Sequence, residues 1–402
     1  MNPDQPIELV NAAELAGVSP QYIRRLARQD RLHLLSRGAN KFLKWSDVKR
    51  IVSDRGSIPL LLTKEMLDKD EPAQSLIHRL GTHDAKTSFE VNRVVAGHCI
   101  DWMQKMPLNI VQAVVTSPPY WGQRRYEGTE KVAWADGTKV PLGNEDDPDD
   151  YVRHSLEVLL HIKHILRNDG TVWWNIGDTY NTRTMVREST VERLDAFEGR
   201  RAGEKWTDYP FKRYSSRSPY LKDKDLVLVP FKIAIGAQQL GYWVRTIVIW
   251  AKENTMPEPV KDRPTTAHEY ILMLNKSRFY YYNTEAARET AETEAIVRET
   301  NTTVDKRNIR TVWRFAVSTN HGNHTAAFPL ELPLRCIGIS SKVADLVFDP
   351  FSGSGTTLIA ADRLQRRFIG VDIARQYVRL AEQRIRQDRR QRDFDLRRYL
   401  AK

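Results

Sequence analysis

The most constraining feature of this sequence is a hydrophobic strand that ends in two consecutive prolines. Val111–Val115 has the length and apolar character of a buried parallel strand, and Thr116-Ser117-Pro118-Pro119-Tyr120 follows it. Proline has no N–H and holds the preceding residue in an extended conformation. The segment therefore predicts a rigid loop that offers carbonyl acceptors, a hydroxyl and an aromatic ring. Such a loop suits a flat heteroaromatic ligand with an amino group; a Pro-Pro turn capped by a core tyrosine is the alternative.

A second motif, nearer the carboxyl end, reads as a strand, a glycine loop and a helix. The strand Leu346–Asp349 leads into a loop with Gly353 and Gly355, which let a ligand approach the backbone closely. Thr356 and Thr357 are predicted to cap the first amides of the helix. The next strand ends in Asp372, which is positioned to bind ribose hydroxyls. A dinucleotide site is the alternative, although Leu358 stands where the third glycine of that fingerprint would fall.

Together the two motifs resemble one family. Thr116–Tyr120 upstream of Asp349–Thr357 is similar to the DNA amino-methyltransferases in their circularly permuted (beta) arrangement, in which the catalytic motif precedes the cofactor motif. The resemblance runs in family order from about Val91 to Arg384. Further similar segments are Gly170–Asp178, Trp250–Pro257, Asp262–Pro264, His268–Tyr270 and His324–Pro329.

The resemblance implies an α/β fold with a Rossmann-like, circularly permuted sheet that binds S-adenosylmethionine. It also implies methyl transfer to the exocyclic amino group of a base flipped out of double-stranded DNA. The implied catalytic residues are Ser117, Pro118, Pro119 and Tyr120, of which the Ser117 hydroxyl and the Pro118 carbonyl would accept the amino hydrogens while Tyr120 stacks on the base. The implied cofactor-binding residues are Asp349, Phe351, Gly353, Gly355, Thr356, Asp372 and Phe328, and no metal is implied.

The resemblance leaves the target base and one cofactor contact open. Serine at the position of Ser117 is more typical of cytosine N4 methylation in the family, so cytosine is favoured and adenine N6 is the alternative. Gly97-His98 stands where relatives commonly have Gly-Asp, so the contact to the adenine end of the cofactor is either lost or made by His98. A solvent-facing histidine is the alternative. A DNA-binding regulator with an inactive methyltransferase domain is the alternative from another functional class, and the intact motifs argue against it.

Composition agrees with a DNA substrate. The formal charge of +11 favours a polyanionic partner, and no apolar segment is long enough to span a membrane. Two cysteines, Cys99 and Cys336, predict a reducing cytoplasm, in a prokaryote or phage, and inert buried thiols. A homodimer and a partner restriction nuclease are open.

Residues 1–53 are predicted to form a winged helix-turn-helix of the excisionase and MerR type. Asn11 is predicted to cap a short helix, and Ser19-Pro20 to open a second one. Residues 32–45 suggest a hairpin, or wing, before a final helix capped by Ser46. The residues predicted to contact DNA are Arg24, Arg25 and Arg28 of the second helix. A packing or dimerisation module with a solvated basic face is the alternative.

Residues 54–90 are predicted to be a linker, and residues 91–402 the methyltransferase domain, in which strands and helices alternate as in an open, mostly parallel sheet. Residues 183–224 are a candidate target-recognition insertion, because they interleave basic and aromatic side chains. The arginines predicted to contact DNA there are Arg200, Arg201, Arg213 and Arg217. A solvated surface insertion is the alternative. The acidic run 145–150 is interpreted as a solvated loop that caps the following helix.

Overall fold

The structure is a computed structural model that covers an amino-terminal module and a larger carboxyl-terminal part of the chain. The described residues are 4–54 without 17, 19, 30 and 31, then 89–125, 132–182, 184–185, 187–188, 212–213, 220–297 without 256, 257 and 259, 302–317 and 328–400. Most of the predicted linker, and Arg200, Arg201 and Arg217 of the insertion, lie outside these residues.

The amino-terminal module combines three helices with a small antiparallel sheet of order β1-β3-β2. Its elements are β1 (Pro6–Glu8), α1 (Leu9–Leu15), α2 (Pro20–Arg28), β2 (Leu35–Arg37), β3 (Asn40–Lys44) and α3 (Trp45–Asp54). The predicted hairpin is present as β2 and β3, with Gly38 at φ +61° in its turn. Two predicted caps are wrong. Helix α1 begins at Leu9, directly after β1, and α3 begins at Trp45, directly after β3, so Asn11 and Ser46 lie inside helices.

The carboxyl-terminal part contains one large sheet of order β15-β11-β12-β7-β5-β16-β17-β4. Its strands and the shorter ones around it are β4 (Arg93–Ala96), β5 (Val111–Thr116), β6 (Arg124–Arg125), β7 (Leu166–Ile176), β8 (Thr184–Met185), β9 (Arg187–Glu188), β10 (Lys212–Arg213), β11 (Trp243–Lys252), β12 (His268–Asn275), β13 (Arg288–Val297), β14 (Thr302–Asn308), β15 (Val312–Phe315), β16 (Leu346–Asp349) and β17 (Arg367–Asp372). Strand β12 is antiparallel to both neighbours, and the other neighbours are parallel. The prediction of a mostly parallel α/β sheet is therefore confirmed.

The topology brings the two sequence motifs together. Strands β5 and β16 are adjacent and parallel in the middle of the sheet, although β5 precedes β16 by more than half of the chain. The Pro-Pro loop and the glycine loop consequently leave the same carboxyl edge. Because β12 runs in the opposite direction, its first residues, from His268, lie at that edge as well.

Helices cover both faces of the sheet. They are α4 (Cys99–Lys105), α5 (Pro148–Ile165), α6 (Val229–Gln239), α7 (Glu331–Ser340), α8 (Thr356–Arg363) and α9 (Arg375–Leu400). Alternate strand residues pack into two separate cores: Val114 and Trp174 with α4, α5 and α6, and Val115 and Trp173 with α7, α8 and α9. None of the helices in the described ranges is long and apolar enough to cross a membrane.

Three predictions about local structure have clear outcomes. Cys99 and Cys336 are buried free thiols, as expected, and burial raises the pKa of each. Asp147 caps α5 by accepting a hydrogen bond from the Asp149 amide at 2.8 Å, as predicted for the acidic run. The description of that run as solvated is wrong for Glu145, which is only 4% exposed because it is bonded to a buried histidine, His154.

Candidate active site

The Pro-Pro loop begins at the end of β5 and is supported from below. Pro118 is buried, and Ser117, Pro119 and Tyr120 are partly exposed. The Pro119 carbonyl accepts a hydrogen bond from the Tyr151 hydroxyl at 2.8 Å. Within the described part of the chain, the Pro118 carbonyl accepts no hydrogen bond. The loop therefore keeps an acceptor at the position that the sequence predicts for contact with the target amino group.

The Tyr120 hydroxyl lies at the centre of a hydrogen-bond network. It donates to Glu269 Oε2 at 2.6 Å and accepts from Ser117 Oγ at 3.2 Å and from Asn175 Nδ2 at 2.8 Å. Burial, together with the charge of Glu269, raises the pKa of Tyr120 well above its usual value. The phenol therefore stays protonated and serves as a donor to the carboxylate.

Glu269 and Asn175 hold this network on two neighbouring strands. Asn175, on β7, also donates to Glu269 Oε2 at 2.8 Å, and Lys252, at the end of β11, pairs with Glu269 Oε1 at 2.6 Å. The amide oxygen of Asn175 is buried and has no hydrogen-bond partner among the described residues. In the sequence analysis these three residues had no functional role and were placed only in segments similar to the family; the usable signal was their position at strand ends on the carboxyl edge.

The Tyr120 ring lies against the backbone of Gly177, just beyond β7. A methyl group added at Gly177 would stand 3.0 Å from the Tyr120 ring carbon Cε2. Any larger residue at this position would therefore displace the ring.

The glycine loop between β16 and α8 is fixed at Asp349. This buried carboxylate accepts hydrogen bonds from Thr116 Oγ1 at 2.6 Å and from the Phe351 amide at 3.0 Å. Burial raises the pKa of Asp349 to about 6. The predicted capping by two threonines is wrong: Gly355 is the N-cap at φ +82°, and Thr357 donates to the Val115 carbonyl instead. Glycine adopts this φ without strain, so the loop needs no side-chain cap at this position.

Asp372, at the end of β17, holds the glycine loop from the neighbouring strand. Its carboxylate accepts the Gly353 amide at 2.9 Å and the Ala374 amide at 2.9 Å. Burial, reinforced by the charge of Asp349, raises the pKa of Asp372 to about 6. Each carboxylate oxygen keeps a further lone pair for a ribose hydroxyl.

The glycine loop has open space beside its backbone for a ligand, and it carries one polar group that has no partner among the described residues. A Cβ added at Gly353 would meet no atom within 4 Å, so its backbone is open on that side. The Ser352 hydroxyl is buried and has no hydrogen-bond partner among the described residues. These features fit the ribose and methionine parts of S-adenosylmethionine, which would lie over Gly353 beside Asp372.

Helix α9 supports the other side of the loop. Arg384 Nη1 donates to the Ser354 carbonyl at 2.7 Å and to the hydroxyls of Ser354 and Thr356 at 2.5 and 3.3 Å. A Cβ at Gly355 would stand 2.8 Å from Ala381, so glycine is required for this close packing. The oxygen of Thr356 therefore accepts from α9 in this structure.

The remaining predicted cofactor contacts occupy different surroundings. Phe351 is partly buried with its ring edge-on to Trp174, and Phe328 is buried in the core formed with α7 and α8. His98 is partly buried, and its ring meets the ring of Trp134 edge-on at 5.4 Å between centroids. Histidine at this position therefore packs against the tryptophan.

A buried cluster of His154, Glu145 and Asp136, which the sequence analysis did not predict, supports the segment that follows the Pro-Pro loop. His154 is stacked on Trp134 and bonded to Glu145 at 2.8 Å and to Asp136 at 3.1 Å. Glu145 in turn accepts the Gly143 amide at 2.8 Å, and the Gly143 carbonyl accepts from the amide of Gly122, two residues after Tyr120. Burial alone would lower the pKa of His154, but the hydrogen bonds that its ring donates to the carboxylates of Asp136 and Glu145, together with their charges, leave the pKa raised.

The predicted DNA-binding residues fall into two groups. Arg24, Arg25 and Arg28 are all exposed on α2, while Ile23 and Leu26 of the same helix are buried. Of the four arginines predicted in the insertion, only Arg213 lies within the described residues. It belongs to β10, which pairs with β8, and only its backbone is described.

The insertion is attached next to the Pro-Pro loop. Strand β9 of the insertion pairs in parallel with β6, which begins four residues after Tyr120. The two ends of the insertion are held together by Asn181, which is fully buried and donates hydrogen bonds to the Leu221 and Lys222 carbonyls at 3.4 and 3.1 Å. Strand β9 of the insertion therefore lies beside the short strand that follows the Pro-Pro loop.

Comparison with known proteins identifies relatives. The family model N6_N4_Mtase, described as DNA methylase, matches residues 111–383. The Type II methyltransferase M.SmaI of Serratia marcescens is 34% identical over 300 residues, which are 73% of this chain and 90% of the relative. The Type II methyltransferase M.Cfr9I of Citrobacter freundii is 33% identical over 333 residues, which are 83% of this chain and 95% of the relative. The solved structure of PvuII DNA methyltransferase (cytosine-N4-specific) covers 73% of this chain and 90% of its own, with 18% identity and a TM-score of 0.48.

The large sheet with both loops at its carboxyl edge gives this part of the chain an α/β fold. The family match covers more than half of the sequence, so the chain belongs to the N6/N4 DNA methylase family. It is an S-adenosylmethionine-dependent DNA methyltransferase.

Proposed function

We propose that this enzyme methylates the exocyclic N4 amino group of a cytosine flipped out of double-stranded DNA, with adenine N6 as the alternative. The observation that carries this proposal is the pair of acceptors at Ser117 and Pro118, at the end of a strand beside the glycine loop. Two acceptors match the two hydrogens of one amino group. Serine rather than an acidic or amide residue at this position favours cytosine.

The acceptors would raise the reactivity of a poor nucleophile. The lone pair of an exocyclic amino nitrogen is delocalised into the ring, and holding both hydrogens lets it localise towards the methyl group. Tyr120 would stack on the extruded base and offset part of the unstacking cost of a few kcal/mol. Alignment of the nitrogen with the methyl group and the sulfur accounts for most of the remaining barrier reduction.

S-adenosylmethionine, when bound, supplies the methyl group: the nitrogen–carbon bond forms as the carbon–sulfur bond breaks, its electron pair stays on sulfur, and the nitrogen loses one proton to solvent. Asp372 would accept the ribose hydroxyls, and Gly353 and Gly355 would let the cofactor approach the backbone. Asp349, Phe351, Thr356 and Phe328 complete the proposed cofactor site. Asp349 and Thr356 would act through the loop, because both are bonded to other parts of the protein.

The chain order of the motifs supports assignment to the permuted (beta) class. The strand of the Pro-Pro loop precedes the strand of the glycine loop in the sequence, although the two are neighbours in the sheet. The intact hydrogen bonding of both loops favours an active enzyme over a regulator with a decayed methyltransferase domain.

The two basic regions have separate proposed roles in binding DNA. The insertion, residues 183–224, would recognise the sequence around the target base, because its strand β9 pairs next to the Pro-Pro loop. The amino-terminal module would act as a winged helix-turn-helix that adds affinity through Arg24, Arg25 and Arg28, which form an exposed basic face on α2. We propose a cytoplasmic location for this protein, encoded by a prokaryote or by a phage.

Mass spectrometry of nucleosides from DNA treated with the enzyme and S-adenosylmethionine tests the proposal. N4-methylcytosine is the expected product. N6-methyladenine would select the alternative base, and DNA without methylated nucleosides would favour the regulator.

A further inference from the structure

Three polar groups at the active site form a directed chain of hydrogen bonds. Ser117 Oγ lies 3.2 Å from the Tyr120 hydroxyl, and the Tyr120 hydroxyl lies 2.6 Å from Glu269 Oε2. The first member belongs to the proposed acceptor pair for the target amino group. The last member is an acid on β12, 149 residues beyond Tyr120 in the sequence.

The direction of the protons follows from the donors available. An ionised carboxylate only accepts, so the single proton of the Tyr120 hydroxyl points to Glu269. The tyrosine oxygen can then only accept from Ser117, and the serine proton is directed towards Tyr120. The Ser117 oxygen consequently presents lone pairs alone to any group above the loop.

Two further contacts keep Glu269 in this role. Lys252 Nζ pairs with Oε1 at 2.6 Å, and Asn175 Nδ2 donates to both Oε2 and the Tyr120 hydroxyl at 2.8 Å. The Glu269 side chain is 13% exposed and that of Lys252 is 23% exposed, so solvent screens this pair only in part. The Glu269 oxygen Oε1 therefore pairs with Lys252, and its oxygen Oε2 accepts hydrogen bonds from Tyr120 and Asn175.

We propose that Glu269 is a positioning residue that sets the polarity of the chain and so makes the Ser117 hydroxyl an obligate acceptor for the target amino group. This inference rests on the proposed function, because it concerns how Ser117 holds an amino hydrogen. With the polarity reversed, the serine proton would point at the amino group, and two donors would face each other.

Glu269→Gln distinguishes polarity from shape, since the two side chains are nearly isosteric. Lys252 would retain the amide oxygen, and the amide NH2 would then face Tyr120 and reverse the chain. We expect the turnover number to fall about tenfold to a hundredfold, the cost of one misdirected charge-assisted hydrogen bond, with an unchanged dissociation constant for S-adenosylmethionine. Glu382→Gln, in a surface pair with Arg386, is the matched control and should turn over normally.

Lys252→Met combined with Glu269→Gln is the decisive variant. Without the lysine, the amide can rotate so that its oxygen accepts from Tyr120 and Asn175, which restores the original polarity. We expect the double variant to recover most of the turnover that Glu269→Gln loses. A double variant that is no faster than Glu269→Gln alone would overturn the proposal, as would a Glu269→Gln enzyme with normal turnover.

A double-mutant cycle with Tyr120→Phe provides a further test, because this substitution removes the hydroxyl that links Glu269 to Ser117. In that background, Glu269→Gln should change the turnover number less than about twofold, because residues of one network are no longer coupled once the connecting member is removed. Equal losses in both backgrounds would show a role independent of Tyr120 and would contradict the proposal. Product analysis of the wild-type enzyme separates the two hypotheses: a product other than an exocyclic N-methyl base rejects the proposed function itself.

Discussion

The Thr116 hydroxyl donates to Asp349 Oδ1 at 2.6 Å, and this bond joins the catalytic and cofactor motifs across 233 residues of sequence. Thr116 is the last residue of β5, and Asp349 is the last residue of β16. The carboxylate of Asp349 also accepts the Phe351 amide, so a single acid fixes the start of both loops. The bond therefore connects the loop proposed to hold the target base directly to the loop proposed to hold the cofactor.

Thr116→Val should destabilise the protein and weaken cofactor binding. The valine cannot donate, so the buried Asp349 carboxylate loses a partner at a cost of about 1–3 kcal/mol in the free energy of unfolding. Urea denaturation and calorimetry with S-adenosylmethionine measure the two effects. Thr311→Val, at an exposed position, is the control. Unchanged values for Thr116→Val would show that the bond contributes nothing to either loop.

Ser117→Ala should lower methyl transfer more than cofactor binding, because it removes an acceptor for the target amino group only. Tyr120→Ala should be more damaging because the base is no longer stacked, an effect on the order of 1–3 kcal/mol. Transfer of labelled methyl groups to duplex DNA measures both variants. Full turnover by both would show that the base binds elsewhere.

Cofactor affinity should rise with pH through the pKa of Asp372. The ribose hydroxyls donate to the ionised carboxylate, and the pKa of this group is raised to about 6, so affinity should increase between pH 5 and pH 7. Asp372→Ala should lose about 1.5–3 kcal/mol of S-adenosylmethionine binding at pH 7.5, where the acid is ionised. Because Asp349 has a similar pKa, the variant Asp372→Asn is needed to show which of the two acids causes the increase in cofactor affinity with pH. A step that persists in Asp372→Asn would belong to Asp349.

His154 should make stability depend on pH in the neutral to alkaline range. Its folded-state pKa is raised above the ordinary value of 6.5, so its contribution is fully present below pH 6.5 and is lost as the pH rises through the folded-state value. His154→Gln removes one partner of buried carboxylates and should cost about 3–5 kcal/mol at pH 6. The difference in the free energy of unfolding between wild type and variant should shrink towards pH 9. His33→Gln, at an exposed position, should show neither effect.

Deleting Met1–Ser53 should weaken DNA binding and flatten its salt dependence while the methylated sequence stays the same. The salt slope should fall by about 0.9 for each DNA phosphate that the module's cations no longer neutralise. Sequencing-based mapping of modified sites compares the truncated and full-length enzymes. The triple variant Arg24→Gln, Arg25→Gln and Arg28→Gln should reproduce the change in slope in the intact chain. A changed methylation motif would assign specificity to the amino-terminal module.

Local sequence patterns predicted the parts of the fold that depend on local chemistry. The apolar run before Thr116 and the strand before Asp349 predicted the two central strands, and the prolines and glycines predicted their loops. These features follow from hydrophobic periodicity and from backbone preferences, which neighbouring residues determine.

The contacts that the sequence did not reveal all depend on long-range packing. Glu145 looks like part of a solvated acidic loop until α5 brings His154 beside it. Glu269 reaches Tyr120 only because β12 runs antiparallel to β7, so that its first residues lie at the catalytic edge. Neither the burial of an acid nor the direction of a strand is encoded in the residues next to it.

The pairing of β9 with β6 limits how this enzyme can be given a new specificity. A chimera that takes residues 183–224 from a relative would join a foreign β9 to the resident Arg124–Arg125, which follow the residues proposed to hold the base by only a few positions. A graft intended to change the methylated sequence therefore has to carry both strands, although they lie about sixty residues apart in the chain. With the roles proposed above, the recognition insertion is exchangeable only together with a second, distant segment of the chain.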